Sequence, residues 1–116
     1  MARAFKSVAV SAARVADDRK AEHVQVLDVR KTSPVADYLV LATALSRPHL
    51  EALEHKIVEA LKDAGLGVHH RSRPQSDSWR VLDFGGVMVH LMTAQARELY
   101  ALERLHDDAK AISWRS

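Results

Sequence analysis

Residues 79–92 read W-R-V-L-D-F-G-G-V-M-V-H-L-M, two apolar runs joined by a Gly-Gly pair. Glycine reaches positive φ without steric cost, and a two-residue hairpin turn of the primed type needs that conformation at its centre. Gly85 and Gly86 therefore predict a tight β-turn, and the turn sets the register. Phe84 faces Val87, Leu82 faces Val89, and Arg80 faces Leu91. Strand side chains alternate with period two, so these residues share one face of the ribbon. That face is mostly aliphatic and suits a core. The other face carries Trp79, Val81, Asp83, Met88, His90 and Met92. An indole, two thioethers, a carboxylate and an imidazole describe a surface partly covered or facing a partner. Cover by a helix is the ordinary outcome in a mixed sheet. Asp83 and His90 are diagonal neighbours there, placed for a hydrogen-bonded pair that tunes the imidazole or simply satisfies a half-buried strand.

Upstream of the ribbon, 71–78 (R-S-R-P-Q-S-D-S) is a polar loop and 68–70 a short strand candidate. Ser46 is a good helix N-cap, and Pro48 lies in the first turn, where its missing N–H costs little. Leu50, Leu53, Ile57, Leu61 and Ala64 mark the buried stripe of a helix over 47–64, with Glu51, Glu54 and His55 outward. Gly65 fits a left-handed C-terminal cap. Residues 38–43 (Y-L-V-L-A-T) form a continuous apolar run, as in a central strand buried on both faces. Residues 24–29 (V-Q-V-L-D-V) are rich in β-branched side chains and predict another strand, ended before Pro34. Phe5, Val8, Ala9, Ala12, Val15 and Ala16 recur at helical spacing and predict a helix over 4–17.

Downstream, residues 94–105 are helical in pattern. Leu99, Leu102 and Leu105 turn to the sheet, with Arg97, Tyr100 and Arg104 at least partly outward. Residues 107–116 show no strong pattern and are expected to fray. The order is α-β-β-α-β-β-β-α. A crossover plus hairpins makes this an α/β fold, α+β by convention: a mixed sheet of about five strands with helices packed on it. The chain of 116 residues fits one domain, residues 1–116, with a core over 5–106 and a tail over 107–116.

Composition excludes several chemistries. There is no cysteine, so disulfides and thiolate metal sites are absent. The formal net charge is only +2, weak support for nucleic acid as the main partner. No apolar run approaches the ~20 residues of a membrane span, and the N-terminal stretch lacks the continuous apolar segment expected of a signal peptide. The expected setting is cytoplasmic, without membrane contact. No phosphate-cradling glycine loop, G-x-S-x-G elbow or H-E-x-x-H appears, so no cofactor or metal is expected. Asp28, Asp37 and Asp83 are candidates for two-metal nucleotidyl transfer, which needs carboxylates around ions ~3.5–4 Å apart. The glycine-serine turn expected ahead of such a set is missing. Arg71, Arg73 and Arg80 form a small basic patch that would suit an RNA phosphate.

Four stretches carry a resemblance. They are A-E-H-V-Q-V-L-D-V-R (21–30), S-P-V-A-D-Y-L-V-L-A-T (33–43), W-R-V-L-D-F-G-G-V-M-V-H (79–90) and E-L-Y-A-L-E-R-L (98–105). Together, in this order and spacing, they resemble the ribosomal silencing factor family, RsfS, also called Iojap-like. The resemblance implies a nucleotidyltransferase-like topology without catalysis. It implies binding to the large ribosomal subunit through ribosomal protein fourteen, with minor contact to ribosomal RNA open. The bound factor would bar the small subunit and damp translation under nutrient limitation, by occupancy alone. The runner-up readings are a nucleotidyltransferase-like enzyme and an RNA-binding module. A homodimer through the exposed face also stays open. Three positions depart from the family pattern: Phe84 stands where tyrosine is usual, Gly86 where an acidic residue is usual, and His106 where tryptophan is usual. Carried onto this chain, the expected recognition set is Trp79, Asp83, Phe84, Tyr100, Glu103 and Arg104. Aromatic and arginine side chains dominate interface energetics. For Phe84 core packing is the stronger reading, and for Trp79 the two weigh evenly.

Overall fold

The sheet is built around β2 (Tyr38–Ala44), every residue of which is buried. The computed structural model describes residues 5–31, 36–67, 70–71, 78–100 and 109–114. β2 pairs in parallel with β5 (Val87–Thr93) and antiparallel with β1 (Glu22–Asp28). β4 (Trp79–Asp83) pairs antiparallel with β5 in the predicted register, Arg80 opposite Leu91 and Leu82 opposite Val89. Two short strands, β3 (His70–Arg71) and β6 (Lys110–Ala111), close the edges. The order is β3-β4-β5-β2-β1-β6. Edge strands of two residues leave little ladder for a stray chain to extend.

The main core lies on the sheet face predicted from the hairpin. Val40, Ala42, Leu82, Phe84, Val87, Val89 and Leu91 meet α1 (Phe5–Asp18) and α2 (Arg47–Asp63) there. The buried stripe of α1 is Val8, Ala9, Ala12, Ala13 and Ala16; small side chains let the helix axis approach the sheet closely. The second face buries Leu27, Val29, Leu39, Leu41 and Met92 with Ala96 of α3 (Ala94–Tyr100). The expected helical cover on that face is therefore present.

Local chemistry sets the ends of α2. The Ser46 hydroxyl accepts from the His49 N–H at 3.1 Å, with proline in the first turn. At the other end Gly65 takes φ 91°, while Leu66 N–H donates to Leu61 O at 2.8 Å and Gly65 N–H to Lys62 O at 2.9 Å. That pair of bonds is the Schellman motif and satisfies carbonyls the helix leaves over. Ala64, expected in the buried stripe, is exposed, because it sits at the cap where the helix leaves the sheet.

The hairpin turn divides its two glycines between different tasks. Gly85 alone of the pair takes positive φ, 98°, as a II′ turn requires at its first central position. Gly86 is needed for space: a Cβ there would lie 2.5 Å from the Phe5 ring. Its carbonyl accepts from Asp37 N–H at 2.8 Å and Tyr38 N–H at 3.1 Å, which fastens the turn to the entrance of β2.

The expected fraying tail is corrected for residues 109–114. Ala111 pairs with Leu27 and Lys110 with Asp28. Ile112 N–H donates to Val26 O at 2.8 Å. Trp114 is 7% exposed within the main core; its indole N–H donates to Val24 O at 3.1 Å, and its carbonyl accepts from Arg14 Nε at 2.9 Å. The sheet thus has six strands. The tail escapes pattern reading because one buried indole anchors it, and one residue has no period.

Candidate docking face

The second face of the β4–β5 ribbon carries two of the predicted recognition residues, Trp79 and Asp83. Trp79, Val81, Asp83 and Met88 are each partly exposed there. They stand beside His90 and Met92, which are 8% and 0% exposed. The indole N–H of Trp79 donates to His90 Nδ1 at 3.0 Å. The two rings tilt by 35° with centroids 5.8 Å apart. Trp79 also packs on the apolar cluster that contains Leu39 and Met92. One edge of the indole is thereby fixed while part of the ring stays open to solvent.

The expected pairing of Asp83 with His90 is not formed. The Asp83 carboxylate instead accepts from the Gly85 N–H at 2.8 Å. A tight turn leaves an amide without a ladder partner, and an aspartate two residues before it is the nearest acceptor. His90 is engaged by Trp79 from the neighbouring strand.

Of the six recognition candidates, Trp79 and Asp83 lie on this face of β4. Phe84 does not. It is 1% exposed and belongs to the main core beneath α1 and α2, so no partner reaches its ring. Its burial agrees with the core-packing reading, the stronger of the two for this residue, and the cause is the alternation itself: Phe84 shares the face of Leu82. Tyr100 is the last residue of α3, and its side chain lies outside the description. Glu103, Arg104 and the departure at His106 lie outside the described residues.

Two further expectations are corrected. Glu54 is buried at 8% exposure and meets Arg80 at 2.6 Å, with Glu51 at 3.7 Å from the same guanidinium. Arg80 points into the core face and needs a carboxylate there. A signal existed: Glu54 falls four residues after Leu50 and three before Ile57, inside the apolar stripe. Arg80 is therefore unsuited to an RNA phosphate, and Arg73 lies outside the described residues. Arg97, expected outward, is 8% exposed. Its guanidinium donates to His23 O, Gln25 Oε1 and, at 2.9 Å, Thr43 Oγ1. A β-bulge in β1 makes this possible: the register shifts between Glu22 and Gln25, and His23 takes φ 49°. The bulge aims a carbonyl at Arg97 and opens a cleft of about 640 Å³ lined by Glu22, Gln25, Thr43 and Glu98 among others. No feature of the sequence signals that bulge.

At the far end of β1, Arg30 grips Asp28 through two guanidinium nitrogens, at 2.9 and 2.7 Å. These bonds, with the Arg30 backbone N–H, hold the carboxyl down at about 2. The same guanidinium lies 5.5 Å over the Tyr38 ring. Asp28, Asp37 and Asp83 do not gather into one site, and among the described residues no group of three His, Asp or Glu could hold a metal ion. No helix among them is long and apolar enough to cross a membrane.

Comparison with known proteins gives one consistent result. A family model described as "Ribosomal silencing factor during starvation" matches residues 2–116. The ribosomal silencing factor RsfS of Treponema pallidum is 44% identical over 94 residues, 78% of this chain and 82% of that protein. The chloroplastic protein Iojap of Arabidopsis thaliana is 34% identical over 90% of this chain, which spans 43% of that longer protein. Among solved structures, a crystal structure from Chromobacterium violaceum superposes with a TM-score of 0.84 at 26% identity, covering 89% of this chain and 86% of that one.

Proposed function

The chain belongs to the ribosomal silencing factor family, and on that premise we propose that it docks on large-subunit ribosomal protein fourteen with the outer face of the β4–β5 ribbon. The family acts without catalysis: its members are regulators that bind the large ribosomal subunit and block subunit joining. The single observation that carries the reading is the family match along residues 2–116. The face supports it in kind. Trp79 offers a part-open indole fixed along one edge, the kind of rigid aromatic anchor that dominates interfaces. Asp83 adds a carboxylate that would meet a basic ribosomal protein and steer the encounter. Tyr100, Glu103 and Arg104 complete the proposed set; Phe84 is removed from it. The bacterial relatives favour a cytoplasmic setting. Silencing is by occupancy, so it needs shape and affinity and no bond-making.

The test is a gradient profile of mixed large and small subunits with and without the purified protein. Joined ribosomes should fall as protein is added, with the protein migrating beside free large subunits. Unchanged joining at saturating protein overturns the proposal. Trp79→Ala should weaken binding by about 2 kcal/mol or more if the indole is an anchor.

A further inference from the structure

We propose that His90 is the positioning residue for Trp79, and that docking through the indole requires a neutral His90. The inference rests on the docking face proposed above. An indole nitrogen carries a hydrogen and offers no lone pair, so it only donates. The bond from Trp79 Nε1 to His90 Nδ1 at 3.0 Å therefore needs a lone pair on Nδ1. That fixes the tautomer: the neutral ring carries its proton on Nε2. A second proton would have to sit on Nδ1 and would set donor against donor. The rings are tilted at 35° with centroids 5.8 Å apart, so the hydrogen bond is the directional contact between them. His90 is 8% exposed on β5, held by the sheet, whereas Trp79 is the partly open partner. Of the two rings, the indole is the one with more room to reorient when the bond is lost.

Several described groups stand around His90 besides Trp79 on β4. On that strand Val81 is its register partner, and Asp83 is turned to the Gly85 N–H. On β2 Leu41 stands beside it. On β3 His70 pairs in register with Asp83. On α3 the charged groups are Arg97, which binds His23, Gln25 and Thr43, and Glu98 on the rim of the same cleft.

The experiment measures affinity for isolated large ribosomal subunits between about pH 8 and about pH 5, the span in which an imidazole ordinarily changes charge. It compares the full chain with His90→Asn and His90→Phe. Asparagine places a non-titrating acceptor at the Nδ1 position; phenylalanine keeps the ring and removes the acceptor. The unmodified chain should lose about tenfold in affinity on acidification, the cost of one loosened anchor. His90→Asn should bind with a flat profile relative to it, and His90→Phe should bind weakly throughout. A shared profile for the unmodified chain and His90→Asn overturns the proposal, as does full affinity in His90→Phe. Nitrogen-15 spectra of the free protein separate this from failure of the docking reading. They should show the Nε2–H tautomer at His90 and an indole N–H resonance of Trp79 that shifts as His90 protonates. A fixed indole resonance, or the Nδ1–H tautomer, overturns the positioning role whatever the ribosome does. A moving resonance with no subunit binding at any pH overturns the docking face and leaves the positioning role standing.

Discussion

Asp28 and Arg30 show how much a two-residue separation can do at a strand end. Three bonds from Arg30 reach the Asp28 carboxylate, one of them from the backbone N–H, and together they pull its pKa from 3.8 to about 2. A carboxylate depressed by folding stabilises the folded state above its unfolded pKa and loses that contribution as pH falls through the folded value. The contribution is therefore complete above pH 3.8 and is lost towards pH 2. Asp28→Asn should lower the urea midpoint at pH 6, by a small amount because the pair faces solvent. The gap between variant and parent should close as pH approaches 2. A gap that stays constant across the acid range would show that the bonds do not favour the charged form. Gly86 argues the same way by volume rather than charge. The space a Cβ would take is filled by the Phe5 ring, so any side chain placed at this position would have to displace that ring.

Between elements, the tie that matters most is Arg80 on β4 to Glu54 on α2, at 2.6 Å. The two side chains are 12% and 11% exposed. Removing Glu54 takes the closest carboxylate from a largely buried guanidinium that Glu51 meets at 3.7 Å, and breaking a buried pair typically costs 3–5 kcal/mol. Glu54→Leu alone should therefore lower stability by about 3 kcal/mol in denaturant titration. Glu54→Leu with Arg80→Met should recover most of that loss, because an apolar pair of similar volume carries no stranded charge. If the double variant is as unstable as the single, the cost lies in packing and not in charge. This pair also marks where sequence reading succeeds and where it stops. The hairpin register, the caps of α2 and the buried run of β2 are legible because each is set by neighbours within a few residues. Glu54 reads as outward because its polarity outweighs its place in the stripe. The burial of Arg97 and Trp114 escapes local pattern because their partners, His23 and Val24, lie 74 and 90 residues away in sequence. The layout of the candidate face was legible in the same proportion. Trp79 and Asp83 follow from alternation in one strand, whereas the Trp79–His90 bond depends on which acceptor the turn leaves free.

At the scale of the whole molecule, the chain closes on itself through Trp114. The indole N–H reaches Val24 O and the Trp114 carbonyl reaches Arg14, partners 90 and 100 residues back. The ring is 7% exposed and packs with the core that α1 and α2 share. Such a contact carries the full loop-closure cost and gains nothing until the rest of the sheet exists to receive it. The tail should therefore dock late in folding and come off early in unfolding. Trp114→Ala removes a buried aromatic, a loss of about 3–5 kcal/mol. Trp114→Phe removes chiefly one hydrogen bond, about 1 kcal/mol. In stopped-flow measurements both losses should appear as faster unfolding, in that order, with the refolding rate nearly unchanged. Refolding slowed in proportion to the lost stability would place Trp114 in the folding nucleus instead. The tail also touches the proposed docking face: Ala109, beside β6, packs on the same second-face cluster as Trp79 and Met88.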